Sequence, residues 1–251
     1  MQSIYALVDK QFSTVNQLIL NELHSHIDLV EDISQYLITS GGKRIRPLVT
    51  LLVAAALGDT DNAKQAKLAT AIEFLHTATL LHDDVVDMSS LRRGKPTANA
   101  NWGNASSVLV GDFVYSRAFQ LMVAVGNLSV MEVLSDTTVK IAEGEVQQLS
   151  EIGNIDLNEA AYFEVIERKT AQLFAGACEA AAIVAGATPE ISSHMRAFGK
   201  SLGLAFQLID DFLDYAGDPA QLGKNVGDDL AEGKLTLPLI QALKISAEQD
   251  S

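Results

Sequence analysis

Cysteine is all but missing from this chain. Cys178, in "AGACEAAAIVAG", is the single one among 251 residues. No internal disulfide can form, and a reducing, cytoplasmic setting is expected. The thiol reads as a small apolar position on a helix rather than a reactive group. Basic residues are also scarce: 18 stand against 32 acidic, for a net charge of −14. That balance argues against nucleic acid or an electrostatically held anionic membrane as partner. Long hydrophobic runs are lacking too. The longest, around "PLVTLLVAAALG", falls short of the ~20 residues a membrane-spanning helix needs. The N-terminal residues show no signal-peptide pattern, so a soluble chain is expected. Apolar–polar alternation and Asn-Gly turns are absent, which leaves little room for strands. Only five prolines occur, most at segment edges, so little interrupts long helices.

What the chain has is apolar bulk at helical spacing. Hydrophobic residues make up 48%, enough for a sizeable core. Rows such as Val49, Leu52, Val53, Ala56 and Leu57 recur at three and four. Helices are expected near 3–23, 28–39, 46–57, 61–87, 104–126, 129–151, 158–186, 189–216 and 235–246. Gly41-Gly42 should stop the second, Pro47 open the third, Gly58 close it, and Gly186 close the long segment after 158. The fold class is all-α, with central helices surrounded by others. Segments 61–87 and 158–216, the most apolar and least charged, are the central candidates.

Against this background the stretch "LLHDDVVDMSSLRRG" is anomalous, because three aspartates end an apolar helix. "IDDFLD" at 209–214 echoes it. Asp83 with Asp87, and Asp210 with Asp214, are four residues apart, so each pair projects from one helix face about 6 Å apart. Like charges so placed repel, and an apolar setting raises their cost. Hard divalent cations relieve such a cost, and Mg²⁺ uses one or two carboxylates together with substrate phosphates. The alternative is that the acids cap a turn or sit on a solvated helix end. Two copies, each ending an apolar helix, favour the metal. Asp84 and Asp211 lie about 100° around the helix from their neighbours, which suits support of the ligands better than ligation.

The few cations come in groups: Lys43, Arg44 and Arg46 in "GGKRIRP"; Arg92 and Arg93 in "RRGKPT"; Lys169, beside Thr170, in "ERKTAQ"; Lys224 and Lys234 in "GKNVGDDLAEGK". Each lies beside glycine or at a helix edge, as phosphate-contacting loops do. Singly, each could be a solvated charge run. Together with two metal-type acid groups they suggest a diphosphate held between Mg²⁺ and cations. His76 lies two turns before Asp83 on the same face, where it is either a ligand contact or a satisfied core residue.

Five motifs in order, "GGKRIRP", "LLHDDVVDMSSLRRGKPT", "ERKTAQLF", "AFQLIDDFLDYAGD" and "LGKNVGDDLAEGKLTLPLI", resemble the trans-isoprenyl diphosphate synthases. The nearest resemblance is to the bacterial long-chain polyprenyl group that makes octaprenyl diphosphate for quinone side chains. It implies a helical isoprenoid-synthase bundle, a homodimer, and sequential 1′-4 condensation of isopentenyl diphosphate onto an allylic diphosphate such as farnesyl diphosphate. On this chain, Lys43, Arg46, His76 and Arg93 would hold isopentenyl diphosphate. Arg92, Lys169, Thr170, Gln207, Lys224 and Lys234 would hold the allylic diphosphate. Asp83 and Asp87, with Asp210 opposite, would bind Mg²⁺, two or three ions arriving with the diphosphate; Asp84, Asp211 and Asp214 stand behind them as secondary metal candidates. Asp83, Asp87, Lys169 and Asp210 form the catalytic set. A transient membrane contact for product release fits the same reading.

In that family a bulky aromatic four or five positions before the first aspartate blocks elongation. Here Thr79 and Ala78 are small, with Leu75 and Phe74 further back, which points to a long product; a close helix–helix contact at Ala78 is the other reading. Two departures stand out: Met88, where the family often has a polar residue, and a chain end at Ser251 soon after the last motif. One domain over 1–251 is expected, without the further C-terminal helices the family usually carries. A class I terpene cyclase would have no use for "GGKRIRP" and His76. A shorter-chain synthase, or a regulatory subunit of a heteromeric one, is the remaining alternative, although such subunits tend to lose an aspartate motif and both are intact here.

Overall fold

The computed structural model describes residues 2–59, 62–217 and 227–249. In chain order the elements are α1 (Gln2–Tyr5), α2 (Asp9–Glu22), α3 (Asp28–Ser40), α4 (Ile45–Ala56), α5 (Asn62–Val86), β1 (Leu91–Arg92), β2 (Lys95–Pro96), α6 (Ala98–Trp102), α7 (Asn104–Val125), α8 (Leu128–Ser150), α9 (Glu159–Ile166), a π-helical turn (Glu167–Ala171), α10 (Gln172–Val184), α11 (Pro189–Ala216), α12 (Asp228–Ala231) and α13 (Leu237–Gln249). The all-α expectation holds.

α5 is the central helix. It buries Leu68, Ile72, Phe74, Leu75, Ala78 and Leu81 and packs on α2, α4, α7 and α10. α7 has the length and apolar composition to cross a membrane, but it lies along α5 with Val110, Val114, Ala118 and Leu121 buried. α10 is the second central element. It is buried on nearly every side, from Gln172 to Ala182, and packs on α4, α8 and α11. Burying Phe174, which is fully enclosed, contributes about 1.5–3 kcal/mol by itself.

The central role expected for the whole of 158–216 holds only for its first half. α11 buries a narrow stripe, Ser192, Gly199, Gly203, Asp211 and Asp214. Phe198, Ile209 and Phe212 on it are more than half exposed. Small residues explain the one-sided packing. A Cβ at Gly199 would meet Phe174 O at 2.4 Å, and one at Gly203 would meet Ala171 Cα at 2.6 Å. The two helices therefore approach along glycines, and α11's larger apolar residues are left on other faces.

Three local features escape the periodicity. The first helix breaks between Tyr5 and Asp9, which turns Tyr5 edge-on to Phe12 at 5.1 Å. The long segment from 158 carries a π-turn in its middle. Leu91 and Arg92 also pair with Pro96 and Lys95 in a minimal hairpin. Arg93 and Gly94 both have positive φ, 54° and 73°, as a tight I′-like turn requires. No alternation announces a ladder only two residues long.

Candidate active site

The end of α5 presents the first acidic group. Asp84 is buried and ion-paired to Arg92, whose Nη2 and Nε lie 2.7 and 2.9 Å from its Oδ1. Asp84 thus anchors the hairpin arginine. Asp83 and Asp87 are only partly covered. Burial raises the Asp83 carboxyl above its ordinary value and Asp87 adds to the rise, while Lys169, Arg92 and Lys234 oppose it. Lys234 Nζ sits 2.9 Å from Asp87 Oδ1 and 2.8 Å from Glu232 Oε2. The described part of the last motif is thereby brought onto the first acidic group.

Lys169 reaches the same place from the π-turn. Such turns inside a helix re-aim side chains and cluster at functional sites. Its Nζ donates to Glu145 Oε2 at 2.6 Å and Gln148 Oε1 at 2.8 Å, both on α8. Gly144 makes this approach possible, since a Cβ there would lie 2.7 Å from both Arg168 Cβ and Lys169 N. Burial pushes the Glu145 carboxyl up to about 7 against the pull of Lys169, with Asp83 and Asp87 adding to the rise. Glu145 is therefore a third carboxylate beside the aspartates, and motif spacing does not reveal it. The mid-helix glycine of "EGEVQQ" is the trace it leaves in the sequence, because glycine inside a helix needs a packing reason.

The second acidic group divides. Asp210 is exposed on α11. Asp211 is 3% exposed and accepts from Tyr162 Oη and Gln207 Nε2, the latter at 2.7 Å; Thr170 Oγ1 in turn donates to Gln207 Oε1 at 2.7 Å. Asp214 is fully buried, and its Oδ2 accepts from the Asp229 backbone N–H at 3.3 Å. Asp210 and Asp214 share a helix face by spacing but not an environment. Lys224 lies outside the described residues.

A second cationic group lies further back along α5, beside Glu73 and His76. The Arg46 guanidinium stacks 4.6 Å from the Phe174 ring centroid and 5.9 Å from that of Phe206. Its Nε is buried without a hydrogen bond to the described residues. Burial lowers Arg46 to about 10, with Glu73 opposing the fall and Arg93 adding to it. Burial raises Glu73, against the pull of Arg46, Arg44 and Arg93. Arg93 donates to Gly41 O, and a Cβ at Gly42 would lie 2.7 Å from its Nη1. The paired glycines of "GGKR" thus make room for the hairpin arginine. Burial, then Arg46, Arg93 and Arg92, hold His76 well below the ordinary imidazole value, so it is neutral near pH 7. Lys43 is exposed and its carbonyl accepts from Tyr5 Oη. Glu73, Phe174 and Tyr162 were not foreseen, because a single glutamate or aromatic inside an apolar helix carries no spacing signal.

Of the expected chain-length residues, Leu75 and Ala78 are fully buried in the core. Thr79 is partly covered and donates to His76 O at 2.9 Å.

The donor chemistry fits a hard cation that brings its own oxygen ligands. Asp83, Asp87 and Glu145 crowd negative charge that Lys169 and Lys234 offset. Among the described residues no three His, Cys, Asp or Glu side chains converge on one point, so the acids suit an ion completed by phosphate oxygens, as Mg²⁺ is.

Residues 27–251 match the family model described as polyprenyl synthetase. The octaprenyl diphosphate synthase of Escherichia coli (strain K12) is 52% identical over 243 residues, 97% of this chain and 75% of that protein. The all-trans-nonaprenyl-diphosphate synthase (geranyl-diphosphate specific) of Rhodobacter capsulatus is 50% identical over 97% of this chain and 74% of its own length. Among solved structures, a polyprenyl synthase from Caulobacter crescentus CB15, complexed with calcium and isoprenyl diphosphate, superposes with a TM-score of 0.94 at 49% identity, covering 98% of this chain and 75% of that one. With two cation groups flanking one acidic wall, and with these relatives along nearly its whole length, the chain belongs to the polyprenyl synthetase family.

Proposed function

We propose that the protein is a long-chain trans-polyprenyl diphosphate synthase, with farnesyl diphosphate as primer and octaprenyl diphosphate, a quinone side-chain precursor, as product. The observation that carries this reading is the pair of distinct cation groups around α5. A synthase handles two diphosphates, and a cyclase handles one. Arg46 and Arg93, beside neutral His76 and exposed Lys43, suit the diphosphate of isopentenyl diphosphate. Lys169, Arg92, Lys234, Thr170 and Gln207 suit the allylic diphosphate.

In the reaction the allylic C1–O bond breaks and its electron pair leaves on the diphosphate. The double bond of isopentenyl diphosphate attacks C1 through its C4. Its C2 then loses a proton to the departed diphosphate. Fixed cations aimed at the leaving oxygens lower the barrier because they need no rearrangement as charge develops. Mg²⁺ held by Asp83, Asp87 and Asp210 would take up the rest of that charge. The apolar surroundings keep water from the allylic cation. A homodimer in the cytoplasm is the assembly and location we assign.

The test incubates the protein with farnesyl diphosphate, isopentenyl diphosphate and Mg²⁺ and weighs the products by mass spectrometry. Octaprenyl diphosphate is expected. Absence of any condensation product overturns the reading, and a cyclised product with no isopentenyl diphosphate consumed would favour the cyclase.

A further inference from the structure

The allylic side described above depends on the orientation of one amide, that of Gln207. A neutral amide can present either its NH₂ or its carbonyl to a partner, and the two faces have almost the same shape. In this protein the choice is made from behind. Asp211, one helical turn along α11, is 3% exposed, so its carboxylate is costly unless both oxygens are satisfied. Gln207 Nε2 donates to Oδ1 at 2.7 Å, and Tyr162 Oη donates to Oδ2 at 2.5 Å. An ionised carboxylate only accepts. The NH₂ of Gln207 must therefore face Asp211, its carbonyl must face Thr170, and the Thr170 hydroxyl must donate, as it does at 2.7 Å. One N–H of the amide is used by Asp211, which leaves the other for a diphosphate oxygen.

Tyr162 is well placed to hold this chain of bonds. It is 3% exposed, on α9, and its ring is fixed edge-on to Phe163 with centroids 5.5 Å apart and packs in a small core with Ile166 and Ile240. The path Tyr162–Asp211–Gln207–Thr170 runs from α9 to α11 and back to the π-turn. It braces both flanks of the backbone that delivers Lys169. We propose that Tyr162 is a positioning residue for the allylic-diphosphate side, acting through Asp211 to fix the Gln207 amide and the Thr170 hydroxyl, and that Asp211 serves this network rather than the metal. Tyr162 is buried with its hydroxyl on Asp211, so its effect on the diphosphate runs through that bond. The proposal rests on the assignment of Gln207 and Thr170 to the allylic diphosphate.

Tyr162→Phe keeps the ring and removes the hydroxyl. The direct readout is the side-chain amide pair of Gln207 in ¹⁵N NMR spectra of the full chain, assigned by its loss in Gln207→Glu. In Tyr162→Phe, with far-UV circular dichroism unchanged, that pair is expected to move. Asp211→Asn, which keeps Tyr162, is expected to move it too, and it serves as the second variant should Tyr162→Phe fold poorly. Kinetically, Tyr162→Phe should raise KM for the allylic diphosphate about tenfold, the size expected for a lost hydrogen bond to a charged group, while KM for isopentenyl diphosphate stays within twofold. The Tyr162→Phe/Asp211→Asn double variant should be no worse than Asp211→Asn alone, because residues acting along one path are not additive. An unmoved Gln207 pair in the folded variants, or equal rises in both KM values, overturns the proposal. A wild-type protein without turnover whose Gln207 pair still responds to Tyr162 would overturn the synthase reading and support the network.

Discussion

Lys234 Nζ lies 2.9 Å from Asp87 Oδ1, so the segment between α12 and α13 is pinned to the end of α5 by one cation. Burial by itself would lower the Lys234 pKa. Its bonds to Glu232 and Asp87 outweigh that and lift it above the ordinary 10.5. The sign follows directly: the ammonium stabilises the fold at every pH below its unfolded value, and the contribution fades only as pH rises through the folded one. Lys234→Met should lower Tm by roughly 4–8 °C, since removing one partner of a pair this enclosed costs about 2 kcal/mol. Thermal unfolding followed by circular dichroism checks this, and an unchanged Tm would mean that solvent already screens the pair.

Glu145 makes a pH prediction of the same sign in a lower window. Its carboxyl is raised from 4.5 to about 7 by burial, with Asp83 and Asp87 adding to the rise and Lys169 opposing it. Below the unfolded value both states keep the proton and nothing is lost. Between the two values the unfolded chain ionises first, so the folded state loses ground as pH rises, and above the folded value the cost is complete. In metal-free solution, the Tm of wild type minus that of Glu145→Gln should therefore fall between roughly pH 5 and pH 8. A flat difference would show that Lys169 already keeps the carboxylate ionised.

The helices were legible because their periodicity is strong and their ends carry glycine, asparagine and proline. Asn127 caps α8 through Ser129 N at 2.9 Å, and Thr188 caps α11, whose first residue is Pro189. The aspartate and cation motifs were legible because repelling charges at the end of an apolar helix demand a reason. What stayed hidden rests on single contacts between distant segments. Glu145 gains meaning only when the π-turn lays Lys169 over it. Tyr162 gains it only when α11 brings Asp211 within reach. The half-exposed face of α11 was hidden because apolar content alone does not say which side is buried.

Gly144 sets the distance between α8 and the π-turn, so adding one methyl there should be felt at Lys169. Gly144→Ala puts a carbon 2.7 Å from both Arg168 Cβ and Lys169 N. Backbone cannot yield as a flexible side-chain end does, so the overpacking should cost about 1–3 kcal/mol. Tm should fall, and KM for the allylic diphosphate should rise more than KM for isopentenyl diphosphate, because Lys169 is the cation bonded to α8 whereas Arg93 is held by Gly41. Equal effects on both substrates would mean that the strain spreads through the whole site.

Product length can be tested on the stretch of α5 that precedes its acids. Ala78 is fully buried, whereas Thr79 is only partly covered. If a growing prenyl chain runs along this stretch, an aromatic ring at either position should stop it early. Ala78→Tyr must also displace core neighbours, and overpacking of that kind typically costs about 1–3 kcal/mol. Thr79→Tyr meets less resistance and separates blockage from unfolding. Both variants should shift the condensation product to shorter chains by mass while the first condensation continues. A full-length product from both, with turnover retained, would place the prenyl path elsewhere and leave Ala78 as a close helix–helix contact.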